Sequence, residues 1–283
     1  MKVYAYKVSL RNDWTHPINQ AFRVASEKPL ETRLIQLSSS RIRLEDAIFS
    51  GGQVFANFAL FRSGSGPAIV SESTHLSEVD IRDDQFFGED TACLYDPLSG
   101  YILVQYNHHG PKASAIQEYL SFANDGLVHS YLFTPKLSPS SEQQIQSLAV
   151  VSRVEVSFAI PNLTSHPGAS GLSFGSAVDI ASANGAETLS LVIGNRRGLT
   201  LSAAKDLALS LYRAFSCGEG IKRLALKAQV DDDSPRETID LIAERLCGEE
   251  DVPLGVGRRY SVQDRWSTMA RLLRSWRDTG FLT

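Results

Sequence analysis

The sequence predicts an α+β protein. We expect an N-terminal, mainly antiparallel sheet with helices, followed by a C-terminal α/β subdomain that ends in an amphipathic helix. Three observations carry this. Short β-rich runs punctuated by Gly and Pro fill the first half. After residue 148, alternating apolar runs take turns with helical ones. At the end, Val262, Trp266, Met269, Leu273 and Trp276 recur within a narrow arc at helical spacing.

Taken in order, Val3–Leu10 is rich in β-formers and reads as a strand. Residues 29–49 are expected to hold a helix that Gly51-Gly52 breaks. Gln53–Arg62 is a second strand, Ser63–Pro67 a turn, and Ala68–Ser73 a third strand pairing back. Thr91–Tyr95 and Tyr101–Asn107 flank Asp96-Pro97-Leu98-Ser99-Gly100, where Pro stands early and Gly late, as β-turn sterics favour. Gly110-Pro111 then opens a helix over 111–123, because Pro is tolerated in a first turn and Ala113, Ile116, Leu120 and Ala123 share one face. The Ser-, Pro- and Gln-rich residues 134–147 read as a linker between domains at 1–133 and 148–283.

In the second half, Ala149–Ile160 alternates as a strand and a Gly/Ser/Asn-rich stretch follows, with a short helix at 174–183. Glu187–Ile193 is a strand, Gly194–Gly198 a turn and Thr200–Phe215 a helix capped by Thr200 or Ser202. Ile221–Val230 is a strand. Asp231-Asp232-Asp233 are expected to start a helix running to Leu246, since acids suit a helix N-terminus. Ser261–Thr279 is the last helix, with Arg271 and Arg274 opposite the apolar stripe and Arg265 and Arg277 flanking it.

The 43% apolar and 9% aromatic content is that of a folded chain, not a disordered one. No apolar window approaches the length of a membrane span, and the N-terminus lacks a secretory leader, so a cytoplasmic protein is expected. Cys93, Cys217 and Cys247 have no short spacing and read as buried small hydrophobes, with no metal site and no cofactor. Charge is segregated. Residues 1–62 hold nine Lys/Arg against five acids, 78–96 seven acids and one Arg, 231–251 nine acids and two Arg, and 253–283 six Arg and two acids.

No catalytic motif is specific. Gly171-Leu172-Ser173-Phe174-Gly175 has the form of a nucleophile elbow but follows a loop, not a strand. Ser202-Ala203-Ala204-Lys205 has the form S-x-x-K without companion motifs. His108 and His109 run into a helix start beside Lys112, which makes the three candidate anion contacts, or a site for an enzyme acting on a nucleotide or phosphate ester. Adjacent residues on a continuing strand would point the two rings to opposite faces. For phosphate contacts without a motif, the candidates are Arg196 and Arg197 in their turn, Arg258 and Arg259 beside Gly257, and Arg271 and Arg274 on the last helix.

Asn107-His108-His109-Gly110-Pro111-Lys112-Ala113-Ser114-Ala115-Ile116-Gln117-Glu118-Tyr119-Leu120 resembles the strand, Gly-Pro and helix of the lambdoid phage exclusion family of RexA and its bacterial defence-associated relatives. Weaker likeness continues through Arg153-Val154-Glu155-Val156, Leu189–Ile193, Leu224–Ala228 and the C-terminal helix. The resemblance implies a two-domain, dimeric sensor that binds double-stranded DNA without sequence preference, detects phage infection and signals to a membrane effector. It implies no catalytic residues. The net charge of −4 departs from a DNA-binding composition. The expectation is therefore a cytoplasmic nucleic-acid-binding sensor of an anti-phage system. A phage or host protein is its trigger and a membrane protein its effector partner. The alternatives are the enzyme above and a protein-interaction module that binds no nucleic acid.

Overall fold

The computed structural model describes residues 1–10, 14–37, 40–62, 66–70, 72–73, 75, 77–123, 130–159, 180–215, 221–230, 234–255 and 259–282. Two antiparallel sheets organise it, and the fold is α+β.

The first sheet grows around β1 (Lys2–Leu10) and β6 (Tyr101–Gln105), whose alternation sends successive side chains to opposite faces. The strand order is β12-β1-β6-β5-β4-β3-β2, from β12 (Cys247–Glu249) through β5 (Phe87–Asp96), β4 (Gln53–Arg62) and β3 (Arg41–Ser50) to β2 (Leu34–Gln36). A further strand, β7 (Tyr131–Pro135), pairs with the far end of β1. One face buries Tyr6, Ile42, Leu44, Phe58, Cys93, Ile102 and Val104 under two helices, α1 (Ile18–Glu27) and α2 (Ala113–Ala123). Val3, Ala5, Ala92, Leu94 and Leu103 go to the other face, under Trp266, Met269, Leu273 and Trp276 of the last helix. Each Val, Leu, Ile, Phe or Met among them contributes about 1.5–3 kcal/mol on leaving water, so the period of two specifies a helix–sheet–helix sandwich.

The second sheet is smaller, with the order β11-β10-β8-β9. Its strands are β8 (Val150–Ala159), β9 (Thr188–Gly194), β10 (Ile221–Gln229) and β11 (Glu237–Asp240), all paired antiparallel. Val154, Val156, Phe158, Leu224 and Leu226 face α3 (Pro139–Ser147) and α4 (Leu201–Phe215). Chain order then returns to the first sheet through β12 and α5 (Val262–Asp278). The chain leaves and re-enters through two adjacent segments. Leu137 bridges Arg245, the Ser138 amide donates to the Glu244 carbonyl (2.8 Å), and the Leu246 amide to that of Lys136 (2.7 Å).

Four expectations change. Residues 29–49 hold no α-helix but a 3-10 turn (Leu30–Arg33), β2 and β3, because Ile42 and Leu44 are buried in alternation with half-exposed arginines. Gly51-Gly52 closes the β3–β4 hairpin instead. Their φ values of 59° and 78° are those of the turn that matches strand twist, and glycine adopts them without cost. Among the described residues of 68–73 there is an isolated bridge, Ile69 to Ser77, and no strand. The 134–147 linker is instead the end of β7 followed by α3. Ser138 caps that helix, Pro139 occupies its first position, and Ile145 is buried. Finally, no helix forms among the described residues 234–246. β11 pairs Ile239 with Leu226 there, and β-branched Thr238 and Ile239 suit the strand.

Candidate nucleic-acid interface

The turn that carries Arg196 and Arg197 is built on β8. The Asn195 amide donates to the Ser152 carbonyl (2.9 Å) and the Leu199 amide to that of Val151 (2.7 Å). The Asn195 side-chain oxygen accepts the Arg197 amide at 3.0 Å, and the Gly198 amide donates to the Asn195 carbonyl at 3.0 Å. An Asx turn of this kind fixes the backbone locally and leaves the two arginine side chains exposed to solvent. From the same end of the sheet, Arg236 donates to the Arg196 carbonyl (3.1 Å) and to Gln229 (3.3 Å), so its guanidinium lies against the turn.

Register brings more cations to the face opposite the helices. Lys227 stands beside Arg153, and Arg153 beside Gly194, over which its aliphatic stem lies at 3.7 Å from where a Cβ would be. Arg223 joins them four residues along β10. Period-two alternation puts Arg153, Arg223 and Lys227 on one face because Val154, Leu224 and Leu226 occupy the other. The described acids of this face are Glu155, paired with Arg153 (3.0 Å) and Arg223 (3.5 Å), and Asp240, whose carboxylate accepts the Ile242 amide. Ser157 and Ser190 hydrogen bond across it at 2.9 Å. The result is six cations, Arg153, Arg196, Arg197, Arg223, Lys227 and Arg236, against two acids. No aromatic residue shares this face among the described residues.

The other expected arginines are elsewhere. Arg258 lies outside the described residues, as do Ser173 and Asp231–Asp233. Arg259 donates to Asp90 at 2.5 Å, and Asp90 is also gripped by buried Arg265 and, at 3.1 Å, by the amide of Asn57. Burial pushes the Asp90 carboxyl up, but the Arg265 charge and the hydrogen bonds from Arg265, Arg259 and Asn57 outweigh it and hold it below the usual carboxylate range. Arg265 also donates to Gln105 at 3.1 Å. Arg259 is therefore a structural partner, and Arg265, expected at the border of the stripe, is inside. Arg271 faces Glu250 at 3.6 Å, and Arg274 is exposed on the same helix. These residues ride on the first sheet, so the fold separates them from Arg196 and Arg197.

From residue 10 to residue 274 the chain matches the model of a family of unknown function, DUF6731. The chain belongs to this family. No curated protein matches it. The matched span takes in both the cationic face and the Asp90 cluster.

In this DUF6731 chain the His108–Lys112 segment is a closed turn. β6 ends at Gln105, so the two histidines are not on a strand and their rings lie edge to face with centroids 4.7 Å apart. The Lys112 ammonium donates to the carbonyls of Asn107 (2.9 Å) and His108 (2.8 Å) and sits 5.0 Å from the centre of the Tyr106 ring. Gly110 is packed so closely that a Cβ would meet Thr91 Oγ1 at 2.6 Å. Two of the Lys112 ammonium hydrogens thus go to backbone carbonyls. The S-x-x-K lysine does the same, since Lys205 donates to the carbonyls of Gln146 (3.1 Å) and Leu148 (3.0 Å), tying α4 to the end of α3. Sequence reasoning missed Arg153, Arg223, Lys227 and Arg236 as members of the face. For Arg153, Arg223 and Lys227 the signal was the alternation of charged residues in two strands already recognised as such, whereas Arg236 lay in a segment read as a helix.

Proposed function

We propose that this protein binds nucleic acid through the polar face and basic end of its second sheet. It contacts phosphates without reading bases, and it serves as the cytoplasmic sensor of an anti-phage system. The observation that carries the binding is the convergence of six cations from two strands, one turn and the residue before β11 on a face with two described acids. Arginine and lysine neutralise phosphates without any motif. The absence of aromatic residues among the described residues of that face removes the stacking platform that single strands use, which favours duplex. The sensing role, the membrane effector and the phage or host trigger rest on the family resemblance alone, which is best over 107–120. An enzymatic reading at His108, His109 and Lys112 has less support, because Lys112 is engaged with carbonyl oxygens.

The test is fluorescence anisotropy on a random duplex and on single-stranded DNA across a salt series. Four to five effective phosphate contacts give a slope of log affinity on log salt of about −4. R196E/R197E is expected to reduce that slope by about 2 and weaken binding at least about ten-fold. R271E/R274E is expected to leave affinity within about two-fold, as exposed charges distant from the site are screened. Unchanged binding by R196E/R197E, or no duplex binding at low salt, overturns the proposal.

A further inference from the structure

Edge strands are usually blunted by shortness, charge or proline, because an open row of amides and carbonyls recruits another strand. In this protein, β2, β7, β11 and β12 are all five residues or shorter. The exception is β9. It ends the second sheet, runs seven residues as Thr-Leu-Ser-Leu-Val-Ile-Gly, and carries neither charge nor proline. It pairs with β8 over its whole length without a register shift, from Arg153–Gly194 to Ala159–Thr188. Val192 and Ile193 are exposed, Val192 by 52%. Among the described residues nothing pairs with its outer edge.

The ends of β9 say what would cover it. Exposed Glu187 precedes it, and Asn195-Arg196-Arg197 follows it. An antiparallel strand of the same sequence, centred on Leu191, sets Thr188 against the partner's Gly194 and Glu187 against the partner's Asn195. Each acid then stands close to the two arginines that follow Asn195 of the other copy, twice over, while the uncharged centre meets itself without repulsion. A parallel pairing would put like ends together.

We propose that two copies of this chain join β9 to β9 about a two-fold axis perpendicular to the sheet, making one continuous eight-stranded sheet. An axis in that direction keeps both polar faces on one side. Arg153, Arg223 and Lys227 of the two copies then form a single broad cationic face. The pairing stands on the edge strand. The widened face rests on the nucleic-acid reading above.

The experiment is sedimentation equilibrium of the full chain, with anisotropy on duplex measured in parallel. The wild type is expected to be a dimer. S190K/V192K, at exposed positions near the axis, is expected to weaken dimerisation by about ten-fold or more, because symmetry counts each repulsion twice. Glu187→Lys weakens it by opposing the arginines, and E187K/R196E/R197E restores it while still failing to bind duplex. That rescue separates the two readings. If the swapped variant dimerises without binding, the pairing stands whatever the ligand. A wild type that stays monomeric, or a dimer that S190K/V192K and Glu187→Lys leave unchanged, overturns the proposal.

Discussion

Replacing Arg265 with Met isolates the buried charge cluster beneath α5. The substitution keeps the aliphatic stem and removes the guanidinium, which is 3% exposed and holds Asp90 and Gln105. Removing one partner of a buried ion pair costs about 3–5 kcal/mol when the survivor is left uncompensated. Here Asp90 is 20% exposed and keeps Arg259 at 2.5 Å and Asn57 at 3.1 Å, so the expected loss is about 2–3 kcal/mol. In a chain of this size that lowers Tm by roughly 3–5 °C. D90N/R265M removes both charges and is expected to be less destabilised than the sum of its single substitutions by about 1–2 kcal/mol. Urea unfolding followed by circular dichroism and intrinsic tryptophan fluorescence measures all four proteins. If R265M unfolds within about 0.5 kcal/mol of wild type, or the double variant is simply additive, the pair is not coupled and the reasoning fails.

Further outcomes follow from other contacts. Because the folded Asp90 carboxyl lies below its unfolded value of about 3.9, its contribution is complete above that value and is lost as pH falls through the folded one. Asp90→Asn should therefore flatten the acid limb of a stability–pH curve, and an unchanged limb refutes the assignment. Gly248→Ala drives a methyl against Leu272 at 2.7 Å and Trp276 at 3.0 Å, so a loss of about 1–3 kcal/mol is expected by urea titration. Lys112→Met removes two hydrogen bonds to carbonyls and should cost about 1–2 kcal/mol without changing duplex affinity. A selective loss of binding there would instead make the turn part of the ligand site.

Local periodicity made much of this fold legible. The stripe Trp266, Met269, Leu273 and Trp276 is buried as its spacing requires, and β4, β5, β6, β8, β9 and β10 fall within a few residues of where alternation puts them. The helix α1 was equally readable, with Ile18, Ala21, Phe22 and Ala25 at helical spacing behind Pro17, but no strand or turn drew attention to it. The errors came where composition was weighed above pattern. A Ser/Pro/Gln-rich run looked like a linker although Ile145 and its cap make it α3. Three aspartates looked like a helix start although Thr238-Ile239 wanted a strand. The site was partly readable for a different reason. Arg196 and Arg197 are neighbours in sequence, whereas Arg153, Arg223 and Lys227 become neighbours only through the pairing of β8 with β10. Arg259 and Arg265 looked like surface charges because Asp90, which takes both, is 169 and 175 residues away.

The return of the chain to its first sheet sets a timetable for synthesis. Ribosomes deliver the N-terminus first, yet β1 lacks its neighbour β12 until residue 249 has emerged, and one face of that sheet stays bare until α5 is made. The second sheet, by contrast, has all its strands by residue 240. The later-starting body is thus the first that can close, and the nascent N-terminal strands must wait with Val3, Leu94 and Leu103 uncovered. A chain of which residues up to 250–262 have emerged would hold a finished cationic module on an unfinished carrier, the interval in which this chain most needs a chaperone.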